Sequence, residues 1–200
     1  YFRYVQEDES GTELIHLLDA VSTNVTKFYR ESEHFDFLND AVEQWLRKGL
    51  RRFRFWSAAC SSGEEPYTMA MTLLDAAQGY DVDMRILATD ISTRMLDAAA
   101  SGVYSMKRME PVPPILRKKY FEKSGYGQDA EWRVKDSLRK LIYFKRLNLT
   151  CPPFPMQGPL DCVFCRNVMI YFDQEGRQKL LNEIYRLLRP GGYLMVGHAE

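Results

Sequence analysis

An excess of charge of either sign is missing from this 200-residue chain: Lys and Arg number 27, Asp and Glu number 27, and the formal net charge is zero. Nothing global draws such a chain to a polyanion, so it does not read as a nucleic-acid protein and its partners must be chosen locally. No apolar run reaches the roughly 18 residues of a membrane-spanning helix, and no leader pattern follows Tyr1. The reading is a soluble, cytoplasmic chain without membrane insertion; because Tyr1 is not Met, it also reads as a fragment, cut at its C-terminal end as well. Cysteine is sparse. Cys60 falls at a strand tip, Cys151 in a Pro-rich loop, and Cys162 and Cys165 in a third strand, so reduced thiols are expected. The pair Cys162-x-x-Cys165 has no second Cys or His pair at ligand spacing, and no metal site is expected. Glycine is sparse where a dinucleotide site needs it: the loop after the first strand holds Gly63 alone, so the GxGxxG spacing is absent.

What is present is apolar patterning, at 46% hydrophobic residues, enough for one α/β domain with a small appendage. The stretch from Arg54 to Asp90 organises it. Arg54 to Cys60 is a short aromatic and apolar strand, broken by Ser61-Ser62-Gly63. A helix from about Pro66 to Ala77 follows, with Met69, Ala70, Leu73, Leu74 and Ala77 on one stripe, and Met84 to Thr89 forms a second strand ending at Asp90. Upstream, Leu14 to Val21 has helical period and Phe35 to Lys48 predicts another helix. Downstream, Ser92 to Ala100 reads as a helix. Pro111, Pro113 and Pro114 then open a basic stretch, with a short helix at Ile115 to Phe121, an alternating strand at Trp132 to Lys135 and a further strand candidate at Leu141 to Phe144. This is expected to be an inserted antiparallel β-subdomain, whose local positive charge is either solvated surface or a docking site for an acidic partner. Leu160 to Cys165 reads as the central strand, Gln174 to Leu188 as a helix ended by Arg189-Pro190-Gly191-Gly192, and Tyr193 to Gly197 as the next strand.

In a wound parallel sheet, the tips at Cys60 to Gly63, at Asp90 and at Cys165 to Asn167 converge on one edge, where a nucleotide-like ligand belongs. Glu64 and Glu65 stand at the helix start where a pyrophosphate would sit, and would repel it. S-adenosylmethionine suits the charge better, being cationic at sulfonium and ammonium and free of phosphate, with ribose hydroxyls for Asp90. A structural α/β domain without ligand has the same spacing.

Longer phrases carry a family resemblance. Thr23 to Glu31 (TNVTKFYRE), Trp56 to Tyr67 (WSAACSSGEEPY), Phe164 to Asp173 (FCRNVMIYFD), Arg189 to Gly192 and Gly197 to Glu200 together resemble the CheR-type methyltransferases, which esterify glutamates on bacterial chemotaxis receptors. The likeness spans about Leu14 to Glu200 in one order; it departs at Cys60, Tyr29 and Ala199, none of them charged. It implies a doubly wound, mostly parallel Rossmann-like α/β methyltransferase sheet over residues 23–200, with the β-subdomain at 103–146 and residues 1–22 as the end of an N-terminal helical region.

The resemblance also implies site roles. Asn24, Thr26 and Arg30 would meet the methionine end of the cofactor, Glu65 its ammonium and Asp90 its ribose. Asn148 and Leu149 would flank the adenine, while Arg166 and Asn167 close the site beside Tyr171. Taken singly, Asn148 could cap a turn, Asp90 could cap the next helix and Tyr171 could be core. In the implied reaction Arg30 orients an already ionised glutamate and Tyr171 adds a hydrogen bond, with glutamate methyl ester and S-adenosylhomocysteine as products. The implied partner is the cytoplasmic domain of a chemoreceptor, with its C-terminal peptide expected to add to the β-subdomain along Trp132 to Lys135. Two rival functions remain open: methyl transfer to another acceptor, and a non-catalytic S-adenosylmethionine sensor.

Overall fold

The computed structural model describes residues 24–200, with Tyr4, Glu13 and Leu17 before them. The expected helix at Leu14 to Val21 and the proposed N-terminal region 1–22 therefore lie almost wholly outside the described residues.

Five parallel strands make the main sheet: β1 (Arg52–Ser57), β2 (Asp83–Asp90), β6 (Ile142–Arg146), β7 (Leu160–Cys165) and β8 (Leu188–Val196), in the order β6-β2-β1-β7-β8. The chain builds outward from β1 through β2 to β6, then returns to the other side of β1 with β7. That reversal places the topological switch between β1 and β7, where wound sheets bind ligands beyond their carboxyl ends. Strand alternation feeds two cores. Phe53 and Phe55 of β1, with Cys162 and Phe164 of β7, face the helices α1 (Glu33–Arg47) and α2 (Glu64–Ala76). Trp56, Val163 and Cys165 face α7 (Gln174–Leu187) through Leu180, Ile184 and Leu187.

Helix signals in the sequence are met within about two residues. Ser92 caps α3 (Thr93–Ser101) by accepting from the Met95 N–H at 3.2 Å, and Asp173 caps α7 by accepting from the Gly176 N–H at 2.8 Å. The region between α3 and β6 holds a second sheet, β3 (Val103–Ser105), β4 (Phe121–Ser124) and β5 (Glu131–Val134), antiparallel in the order β3-β5-β4, with the short helices α4 (Met106–Met109), α5 (Pro114–Tyr120) and α6 (Asp136–Arg139) around it.

Four details correct the sequence reading. Ile142–Arg146 is not part of the antiparallel insert but the parallel edge of the main sheet, pairing Ile86 with Ile142 and Asp90 with Arg146. Alternation alone does not separate an antiparallel strand from an edge strand buried on one side. The central strand is β1 rather than β7, which is buried along its whole length but lies one place off centre. Trp132 belongs to the middle strand β5, bonded on both sides, so the segment Trp132 to Lys135 has no free edge to offer a peptide. Strand β8 begins at Leu188, directly after α7, and runs through Pro190-Gly191-Gly192 with an irregular register against β7.

Candidate active site

A cavity of about 340 Å³ opens at the carboxyl edge of the sheet, beside the β1–β7 switch. Asn24, Thr26, Arg30, Glu65, Asp90, Asn148, Leu149, Arg166, Asn167 and Tyr171 all line it.

The segment before α1 is pinned by Phe28, which is fully buried and packs edge-on against Tyr104 at 4.9 Å and Phe121 at 5.9 Å. Tyr29 and Glu31 on either side of Arg30 both take φ of 54°, a region costly for residues other than glycine. This local backbone turns Arg30 to the cavity, where its Nη1 donates to the Val25 carbonyl at 2.8 Å.

The loop after β1 is laced to its neighbours. The Ala58 N–H donates to Phe164 and the Cys60 N–H to Thr89, and Trp56 Nε1 donates to Thr89 Oγ1 at 2.9 Å. Asp90 accepts from the Ser61 N–H at 2.8 Å and from the Ser92 N–H at 3.0 Å. It therefore ties the loop after β1 to the start of α3 as well as lining the cavity. Ser61, at φ 46°, and Asn167, at φ 58°, are again left-handed non-glycine residues, so strained backbone gathers around the cavity.

Glu65 accepts from Ser57 Oγ at 2.7 Å and from Arg166 Nη1 at 3.0 Å. Burial raises its carboxyl above the ordinary value, against the pull of Arg166 and Ser57. Arg166 is a hub rather than a simple lid: its side chain is 1% exposed, and Nη2 donates to Glu31 Oε2 at 3.1 Å and to the Arg30 carbonyl. Its guanidinium also lies over Phe35 and Phe164 at 5.5 and 5.7 Å. Glu31 accepts from Asn167 Nδ2 at 3.2 Å as well; burial acts to raise its carboxyl, but the bonds from Asn167 and Arg166 hold it below the ordinary value.

At the rim formed by residues 147–150, Asn148 Oδ1 accepts from the Thr150 N–H at 3.0 Å and the Thr150 hydroxyl at 2.8 Å, so Asn148 caps a turn while lining the cavity. Leu149 is 7% exposed and gives an apolar wall. Tyr171 is 61% exposed at the mouth and is not core. Residues the sequence reading left without a role are Glu31, Ser57, Ser61 and Glu200. Glu200 accepts from the Val168 and Met169 N–H groups, both at 2.6 Å, and so fixes the loop carrying Asn167. Glu31 and Glu200 stood within the quoted phrases, and the signal for them was a carboxylate beside the site segments.

Glu31, His34 and His198 bring ligand atoms within 4.8 Å of one another. Both oxygens of Glu31 are already engaged by Arg166 and Asn167, and a buried guanidinium alongside repels a cation, so Glu31 serves here as the ion-pair partner of Arg166. A carboxylate at a helix start and an apolar rim wall fit S-adenosylmethionine.

A wound parallel sheet with a cavity at its switch point is common to many nucleotide-binding folds, and the carboxylate of Glu65 at the helix start turns it toward a cationic ligand without phosphate, as the S-adenosylmethionine-dependent methyltransferases bind. The sequence model of the family described as "CheR methyltransferase, SAM binding domain" matches residues 24–200. The chain is similar to the chemotaxis protein methyltransferase of Borreliella burgdorferi, at 42% identity over 100% of this chain and 72% of that protein. It is 40% identical to chemotaxis protein methyltransferase 2 of Pseudomonas aeruginosa and 36% identical to the chemotaxis protein methyltransferase of Escherichia coli, over 100% of this chain and 70% and 68% of theirs. The chain belongs to the CheR methyltransferase family and is an S-adenosylmethionine-dependent enzyme.

Proposed function

We propose that the chain transfers a methyl group from S-adenosylmethionine to glutamate side chains of chemoreceptors, forming glutamate methyl esters. The observation that carries this reading is one cavity with the carboxylates Glu65 and Asp90 along its walls, Arg30 among its lining and Tyr171 at its mouth. When bound, S-adenosylmethionine would supply a sulfonium methyl carbon open to in-line attack by a carboxylate oxygen, the new O–CH3 bond forming as the C–S bond breaks and S-adenosylhomocysteine leaves as the neutral thioether. Glu65 holds the donor's ammonium, Asp90 its ribose, and Asn148 and Leu149 its adenine. Asn24 and Thr26 bound the methionine end, and Arg166 and Asn167 hold the segments that carry these groups. Arg30 orients the acceptor carboxylate, for which its planar fork is suited, and Tyr171 adds a hydroxyl at the mouth. A glutamate is already ionised at neutral pH, so positioning and exclusion of water do the catalytic work.

The test is formation of base-labile methyl esters on receptor glutamates with radiolabelled donor, beside calorimetry with S-adenosylhomocysteine. Binding without transfer would leave a sensor; transfer to other acceptors alone would move the substrate. Residues 23–200 act as the methyltransferase unit in this reading, with 1–22 as the end of a preceding region. For the receptor's C-terminal peptide, β4 is the edge that suits augmentation. It is exposed beyond Phe121, and an open recess alongside is lined by Glu122, Arg133, Lys135, Asp136 and Arg139. Titration with receptor tail peptides tests this; no binding would leave the insert as solvated surface.

A further inference from the structure

The insertion reaches the site indirectly, by gripping the loop that carries Glu65. Glu64, first residue of α2, is 1% exposed, and its charge is met from the insertion: Arg108 of α4 donates from Nη1 to Glu64 Oε1 at 3.0 Å and to Ser62 Oγ at 3.1 Å. Ser62 Oγ in turn donates to Glu64 Oε2 at 2.7 Å. Tyr104 of β3 donates its hydroxyl to the Ser62 carbonyl at 2.8 Å. The same loop reaches the cavity on its other side through Ser61 and Glu65.

We propose that Arg108 is a positioning residue for methyl-donor binding, holding the loop 61–65 from the insertion by neutralising buried Glu64. Without Arg108, a buried carboxylate keeps only the Ser62 hydroxyl among its side-chain donors here, and the loop moves to hydrate it, taking Glu65 along. The effect is moderate, since Arg108 is itself half exposed and screened by water.

The inference rests on reading Glu65 as a donor-binding residue, and calorimetry with S-adenosylhomocysteine on four variants separates the two. Arg108→Ala should weaken binding about tenfold, Arg108→Lys less than about threefold, and Arg108→Ala with Glu64→Gln should recover most of the loss by removing the uncompensated charge. The turnover of Arg108→Ala at saturating donor should stay within about twofold of the parent while KM for the donor rises. Unchanged affinity in Arg108→Ala, or no recovery in the double variant, overturns the proposal. Glu65→Gln is the control: if it too binds normally, the site reading fails, whereas loss in Glu65→Gln alone sinks only the role of Arg108. Should Arg108→Ala unfold, Arg108→Gln decides, since it keeps most of the side chain but removes the charge facing Glu64; it should weaken donor binding and recover when Glu64→Gln is added, and unchanged binding there overturns the proposal.

Discussion

Arg30 and Glu65 meet opposite demands within one cavity, and each gives a separate measurement. Arg30 is assigned to the acceptor, so Arg30→Ala should lower methyl transfer by roughly a hundredfold while donor affinity falls far less, because orientation of the nucleophile is what disappears. A radiolabelled methyl assay showing near-normal turnover would remove Arg30 from the reaction. Glu65 answers to pH. Its carboxyl titrates above the ordinary 4.5, raised first by burial, and a cationic donor needs it ionised. Donor affinity should therefore fall as the pH is lowered through that raised value, and calorimetry across the series should show the fall largely gone in Glu65→Gln. An identical pH profile in both proteins would mean that Glu65 does not face the ammonium.

Among the elements, the turn from β1 into α2 leaves its backbone little freedom. Gly63 sits at φ 95°, and a Cβ there would stand 2.8 Å from Ala99 Cβ and 2.9 Å from Tyr104 Oη. Gly63→Ala should cost about 1–3 kcal/mol in left-handed strain and a similar amount in overpacking, seen as a lower urea midpoint. A variant as stable as the parent would show that the contact relaxes freely. The turn was legible in the sequence as Ser61-Ser62-Gly63 before a carboxylate-led helix, since glycine and an acidic first turn each have a local cause. The helices α1, α2 and α7 were legible for the same reason, their apolar period being set by what they bury. Which neighbour a strand pairs with has no such local mark. Ile142–Arg146 reads as part of the insert and Trp132 as an edge because pairing is decided by residues 50 or more positions away, such as Ile86, or by closure of a sheet from both sides. Glu65 and Asp90 are legible from pattern, as a helix start and a strand tip, whereas Asn24, Thr26, Arg30, Asn148, Leu149 and Tyr171 come only from the resemblance, and Arg108 escapes because its partner Glu64 lies 44 positions away in another layer.

Over the whole molecule, two cores are joined through one sheet, and carboxylates with opposed titration sit at the joints. Glu183 on α7 fixes the loop before β7: its Oε1 accepts from the Phe154 N–H at 2.7 Å, and Arg186 donates to both of its oxygens at 2.6 and 2.8 Å. The bonds from Arg186, foremost, hold its carboxyl below the ordinary 4.5 despite burial. Glu31 is likewise lowered across the site, whereas burial raises Glu65 and Asp161. The signs follow from proton counts. For a lowered group the unfolded chain binds the extra proton, so its stabilisation is complete above pH 4.5 and is lost as the pH falls through the folded value. For a raised group the folded chain takes the proton first, so stability increases as the pH falls through the folded value toward the ordinary one. Glu65 and Asp161 thus oppose acid loss at mildly acidic pH, and Glu31 and Glu183 produce it below. Glu183→Gln keeps an acceptor for the Phe154 N–H but gives up the charge facing Arg186. It should be less stable than the parent near neutral pH and converge on it as the pH falls below the ordinary 4.5 and through the lowered value of Glu183. Urea unfolding across the pH series measures the gap between the two curves. A gap that stays constant down to the lowest pH would place the effect in packing at Phe154 and leave the ion pair with no share in it.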